Sequence, residues 1–311
     1  MDRRIERCSN ISVMAHITRP NPSRNLTMLG SHQRRLLVRR AYGQPLQLRR
    51  GFARAWPGQG PPSPPPMARI LKSGKAAGTR LRLYLSLLYL GRGQEHDLVL
   101  PARSWALIIG LPHPDGSGAR AIRSALAWLE REALVTLTPN NGAPTVVRLR
   151  EETGSGAEYT VPGQAARVAK EADQRIDPRH LYLKVPAAFW EHGWIAYLSV
   201  PALVVFLALL TEAPAEIDQT KPVALPESKA TTYYQISADT LRRGVNKLEE
   251  AGVIRTVGQT VGAGLDFRRR HNLYVVSLDR LQTAPPGVIE DFDGDDLSDL
   301  EGISSHETGQ S

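Results

Sequence analysis

A seventeen-residue pattern occurs twice in this chain, at residues 119–135 (ARAIRSALAWLEREALV) and 238–254 (ADTLRRGVNKLEEAGVI). A single offset of 119 residues superposes Ile122 on Leu241, Arg123 on Arg242, Leu126 on Val245, Leu129 on Leu248, Glu130 on Glu249 and Val135 on Ile254. In each copy the apolar residues recur at i, i+4 and i+7, which is one face of a helix, and basic residues occupy the other face. The pattern therefore predicts two amphipathic helices, each with a polar face free to meet a partner.

The flanks repeat as well. Before the first copy lie an apolar segment at 81–90, the stretch PARSWALII at 101–109, whose proline suits a first helical turn, and a Gly/Pro/Asp-rich connection at 113–118. Before the second lie an apolar segment at 200–210, PESKATTYY at 226–234, a turn at Gln235 and Ile236, and Ser237 as the expected N-cap. After each copy the period becomes strand-like. A hairpin is predicted at 134–138 and 145–149 around the turn PNNG (139–142), and another at 253–257 and 273–278 around a Gly-rich loop.

Helix, helix, helix, two-stranded wing is the order of the winged helix-turn-helix superfamily, which this chain resembles twice. Within it the second half is similar to the terminal initiator and regulator modules of actinobacterial plasmids and mobile elements. That resemblance rests on YLKVP at 182–186, Phe189, Trp190, GWI at 193–195, Leu198, Ser199, Ile236, Ser237, Thr240, RRG at 242–244 and RRRHNLY at 268–274, about a third of the chain. It implies an α+β fold of two winged-helix domains, each a three-helix core with a β-hairpin wing. Packing and turn signals of this kind specify a fold better than a biological role.

Charge divides the chain into blocks. Residues 1–66 hold twelve Arg against two acids, a net of +10, and residues 284–311 hold eight acids and no Lys or Arg, a net of −8. The whole-chain +8 leaves +6 for residues 67–283. Such blocks at the ends predict disordered termini. The expected organisation is a basic, Pro-rich arm or mis-assigned leader at 1–67, a first winged-helix domain at 68–163 and a partly helical linker at 164–179. A second winged-helix domain at 180–283 and an acidic tail at 284–311 complete it. Met67 directly follows a polyproline run, so two readings of the leading segment stay open: an arm that tracks phosphate, or a translated leader with Met67 as the native start. At 41% hydrophobic residues, the whole chain has enough for two modest cores.

With one cysteine, Cys8, the chain has no internal disulfide and no cysteine-based zinc site, which points to a reducing cytoplasm. The apolar stretch at 194–210 is too short to span a membrane and is expected to be a buried first helix of the second domain with a strand or turn before it. No signal peptide is expected, because Asn10, Ser12, His16 and Thr18 interrupt the amino-terminal apolar residues.

The expected partner is double-stranded DNA, with no cofactor and no metal. A helix in the major groove presents its first two turns to base edges. In the second copy Thr240, Arg243 and Lys247 form the stripe opposite the core, with Arg242 and Asn246 beside it. In the first copy Arg120, Arg123 and Ser124 take that place, and the surrounding alanines make a good helix with few readers. The first domain is therefore expected to add affinity and spacing, and the second to add more of the sequence preference. Arg268, Arg269, Arg270 and His271 are placed on the second wing to straddle phosphates, whereas the first wing has an uncharged Asn-Asn-Gly tip. Glu249 and Glu250 are expected to solvate the helix end. Trp105, Trp128, Phe189, Trp190, Trp194 and Tyr274 are expected to pack.

Enzymatic signatures are weak. GQTVGAG at 258–264 lacks the Gly-Lys-Ser/Thr of a phosphate loop and is expected to be a hairpin loop. The eight histidines are scattered, and a nicking tyrosine at Tyr182, Tyr233 or Tyr234 lacks the His-x-His that would hold its metal. The alternative to DNA binding is a winged-helix module that docks protein; a nicking-type replication enzyme is a third. The residues do not separate replication initiation from transcriptional control.

Overall fold

The computed structural model describes residues 29–56, 64–92, 96–214, 221–263 and 267–288; the side chains of residue 31 and of 259–271 lie outside that description. The fold is mixed α+β. It opens with α1 (Ser31–Arg40), β1 (Leu46–Arg49), α2 (Arg50–Ala53) and α3 (Pro66–Lys72). The first repeat follows as α4 (Ala77–Leu90), β2 (Asp97–Val99), α5 (Ala102–Ile108), α6 (Ala119–Arg131), β3 (Val135–Thr138) and β4 (Val146–Leu149). A connecting region holds α7 (Pro162–Glu171), β5 (Tyr182–Val185), α8 (Ala188–Glu191) and α9 (Trp194–Tyr197). The second repeat is α10 (Val200–Glu212), β6 (Val223–Ala224), α11 (Glu227–Tyr234), α12 (Ala238–Glu250), β7 (Ile254–Ala263) and β8 (Phe267–Val276).

Both repeats thus run helix, strand, helix, helix, hairpin, and their antiparallel sheets share one strand order, β2-β4-β3 and β6-β8-β7. The sequence reading lacked the first strand of each sheet. At three and two residues, β2 and β6 are too short to carry a period. The second hairpin is also longer than expected. Its strands pair from Ile254 with Val276 to Ala263 with Phe267, so residues 258–263 of the Gly-rich stretch are strand and not loop.

The expectation for residues 1–67 is corrected at residues 29–56 and 64–67; residues 1–28 and 57–63 lie outside the described residues. Leu46, Leu48, Phe52, Ala53 and Met67 are fully buried. β1 pairs antiparallel with β5, Leu46 opposite Val185 and Arg49 opposite Tyr182. Folded structure therefore begins well before Met67, and a leader ending there would take core with it. Arginine content misled the reading because two of these arginines are buried with partners. Arg34 donates from Nε to Glu191 O (2.7 Å). Arg49 meets Glu152, both side chains almost wholly buried, at 2.7 Å, and Arg49 Nη2 also donates to Thr160 O and Oγ1. Burial pushes the Glu152 carboxyl up, against the opposing pull of Arg49.

Two separate cores are likewise not found: one apolar cluster runs through both repeats. Helix α10 is its centre, with every residue from Ala202 to Leu210 buried, as a helix apolar on all sides must be. It meets the first repeat at α4. A Cβ on Gly78 would lie 2.7 Å from Val200 Cγ2, Arg82 Nη2 donates to Leu198 O (2.8 Å), and Trp190 stacks on Tyr89 while donating to Ser86 Oγ (3.1 Å). The expected boundaries at 163 and 180 fall in the connecting region. There α7 has only Pro162 buried, while β5, α8 and α9 contribute Leu183, Phe189, Trp190 and Trp194 to the shared core.

Among the described residues no helix is long and apolar enough to cross a membrane. The apolar stretch at 194–210 is two helices: α9 ends at Tyr197, and Ser199 caps α10 by accepting from Ala202 N.

Candidate nucleic-acid interface

Helices α6 and α12 have the same length and the same 119-residue offset as the sequence pattern, and they end in the same way. Leu134 N donates to Leu129 O and Ala133 N to Glu130 O; Val253 N donates to Leu248 O and Gly252 N to Glu249 O. This pair of hydrogen bonds closes over one residue in the left-handed region, Ala133 at φ +56° and Gly252 at φ +72°. The glutamates then reach forward. Glu130 Oε1 accepts from Leu137 N (2.9 Å) and Glu249 Oε1 from Thr256 N (3.1 Å), fastening each helix to its hairpin. Glu249 therefore holds the first hairpin strand; its expected role of solvating the helix end is corrected.

The inward faces are as expected for Ile122, Leu126, Leu129, Leu241 and Leu248, which are buried, while Val245 is half-buried. Gly244 was missed as a core position. A Cβ there would lie 2.4 Å from Pro201 O and 2.5 Å from Val205 Cγ2, so the glycine lets α12 lie directly on α10. At the other end Ser237 caps α12, its Oγ accepting from Thr240 N (3.2 Å).

The exposed face of α12 carries Arg242, Arg243 and Asn246. One carboxylate joins the two arginines: Asp239 Oδ1 accepts from Arg242 Nη2 (2.8 Å) and Oδ2 faces Arg243 Nε (2.9 Å). Asp239, Arg242 and Asn246 line a groove of about 700 Å³ between α12 and the sheet, with Asn272 and Tyr274 on its far wall. Two residues of the expected stripe, Thr240 and Lys247, are half-buried and have partners within the chain. The Thr240 hydroxyl accepts from Ser237 Oγ, and the Lys247 ammonium lies over the Tyr197 ring (5.5 Å) and meets Glu250 (3.2 Å).

On α6, Arg120, Arg123 and Ser124 are exposed, with no ion pair to either arginine among the described residues, and no acid stands in the first turn. Trp128 is half-buried beneath the Arg80 guanidinium (4.8 Å), and the other five aromatics expected to pack are buried. On the first hairpin Arg148 grips Asp97 through two 2.7 Å bonds, which hold the Asp97 carboxyl below its ordinary range, and Arg150 donates to Thr136 Oγ1. On the second hairpin Arg268, Arg269, Arg270 and His271 pair in β8 with Gly262, Val261, Thr260 and Gln259; their side chains lie outside the described residues, as does that of Phe267.

The structure thus gathers Arg242, Arg243 and Asn246 on one face and adds Asp239 and Asn272, which the sequence reading passed over. Asp239 was legible, since it stands three and four residues before the two arginines. Asn272 was not, because its place depends on hairpin register. Among the described residues no group of three or more His, Cys, Asp or Glu is placed to hold a metal ion. No protein-family model, curated protein or solved structure matches this chain.

Proposed function

We propose that this protein binds double-stranded DNA in a sequence-specific manner through two winged helices, one per repeat, in the cytoplasm. The role is that of a replication initiator or transcriptional regulator, and no catalytic step is involved. The supporting observation is the repeated presentation of an exposed basic face on the last helix of a helix–strand–helix–helix–hairpin unit, beside its three-stranded sheet. A helix presented in this way fits the width of the major groove, and a flanking hairpin reaches the adjoining backbone. In this reading α12 supplies base contacts through Arg242, Arg243 and Asn246, since arginine bonds guanine O6 and N7 together and asparagine pairs with adenine N6 and N7. Helix α6 supplies phosphate contacts through Arg120 and Arg123.

The test is selection of bound sequences from a random duplex pool with the full chain, followed by a salt titration on the selected and on random duplexes. An enriched motif, with affinity falling steeply as salt rises, is expected. Arg243→Ala should relax one position of that motif. Changing Arg268, Arg269 and Arg270 together to Ala should weaken binding to all duplexes and lower the salt slope by about one per lost phosphate contact. Absence of duplex binding would overturn the proposal in favour of a protein-docking role.

A further inference from the structure

We infer that Asp239 is a positioning residue for sequence reading: it aims Arg242 and Arg243 at base edges and withholds them from phosphates. This rests on the DNA-binding reading of α12. The geometry is a fork. One carboxylate oxygen takes Arg242 Nη2 at 2.8 Å and the other faces Arg243 Nε at 2.9 Å, so one nitrogen of each guanidinium is engaged and, among the described residues, no other ion pair takes the rest. Arg242 lines the rim of the groove with Asn246 and Asn272 and is largely exposed, while Arg243 does not line that groove.

Stability does not explain the arrangement. All three side chains are more than half exposed, and exposed ion pairs on a helix contribute little. Binding changes its weight. When a duplex closes over the face, water is displaced, the local dielectric falls and the carboxylate–guanidinium bonds strengthen. Two long side chains that would otherwise sample many rotamers are then already oriented for a planar, two-bond contact with guanine. The same negative charge repels a phosphate brought to either arginine, so non-specific backbone contact is penalised while base-edge contact is kept.

The first repeat provides the contrast within the same molecule. At the 119-residue offset Arg120 stands where Asp239 does and Ser124 where Arg243 does. Its face is cationic with no carboxylate in the first turn, suited to sequence-independent phosphate contact. One position thus changes sign between the repeats, and with it the kind of contact the helix favours.

The experiment compares the full-length parent, Asp239→Asn and Asp239→Ala on the selected duplex and on a random duplex of equal length, with repeat selection for each variant. The isosteric Asp239→Asn keeps the shape and removes the charge. Affinity for the selected duplex should fall about tenfold, and affinity for random duplex should stay level or rise. The motif should relax at the positions that Arg242→Ala or Arg243→Ala also relaxes, and adding Asp239→Asn to those variants should cost little more. A purely structural role would lower both affinities together and leave the motif intact, and that result overturns the inference. A parent that binds no duplex overturns the DNA reading and this inference with it; a parent that binds while Asp239→Asn keeps both ratio and motif overturns this inference alone.

Discussion

The matched ends of α6 and α12 provide a stability experiment with an internal control. Both helices close over a left-handed residue, yet one copy places alanine there and the other glycine. An L-residue in that conformation costs about 1–2 kcal/mol through contact between Cβ and the carbonyl oxygen. Glycine avoids the cost but loses about 0.4–1 kcal/mol more unfolded-state entropy on folding. The exposed methyl of Ala133 offers little burial to lose. Ala133→Gly should therefore stabilise the protein by about 0.5–1 kcal/mol, the difference of those two terms. For a folded body of this size that is a rise in melting temperature of about 1–4 °C. The reverse change, Gly252→Ala, should destabilise by a similar amount through the backbone alone, because the nearest atom to an added Cβ is Arg280 Nε at an ordinary 3.5 Å. Urea titration with m held as a check measures both variants. Destabilisation by Ala133→Gly, or a neutral Gly252→Ala, would refute the assignment of left-handed strain to this turn.

Three further outcomes follow from packing and charge. Glu152→Gln should cost about 3–5 kcal/mol, because it leaves the buried Arg49 guanidinium without its counter-charge, and pairing it with Arg49→Met should recover most of that loss in a urea titration. Gly244→Ala should destabilise by about 1–3 kcal/mol despite alanine's better helix propensity, since the added carbon meets Pro201 O at 2.4 Å. Asp97 has its carboxyl depressed from an ordinary 3.8 by Arg148, so the pair's small contribution is present above that value and lost as pH falls through the lower, folded one. Asp97→Asn should lower the melting point slightly at neutral pH and match the parent once the pH is below both values.

How much of this was legible depended on how far apart the partners lie. Helices α6 and α12 were readable because their apolar period and the strands that follow are local signals, as is the Ser237 cap that starts α12. The amino-terminal segment was not. Its LQLR strand makes sense only against YLKV at 182–185, more than 130 residues on, and its arginines look solvated until Glu152 and the Glu191 carbonyl are brought to them. For the polar stripe of α12 the helical positions were legible and the neighbours were not. Sequence spacing places Lys247 beside Arg243, but it does not show that α9 lies alongside and offers Tyr197 to the ammonium. Gly244 read as a weak helix residue because the reason for it, the Pro201 carbonyl, belongs to another helix.

Because one apolar cluster runs through both repeats, turning one repeat against the other would expose buried core. In the proposed role the protein acts as a calliper whose jaws are costly to reset. A target duplex must then present its contacted grooves at one distance and one rotational phase, and any mismatch is taken up as twist or bend in the DNA. Five base pairs inserted between the contacted segments turn the second one to the far side of the duplex. Ten restore its facing but leave it about 34 Å too far away, a full helical turn. Tolerance of spacing is thus decided by the stiffness of the nucleic acid, and sequence steps between the two sites that the protein never touches become part of what it recognises.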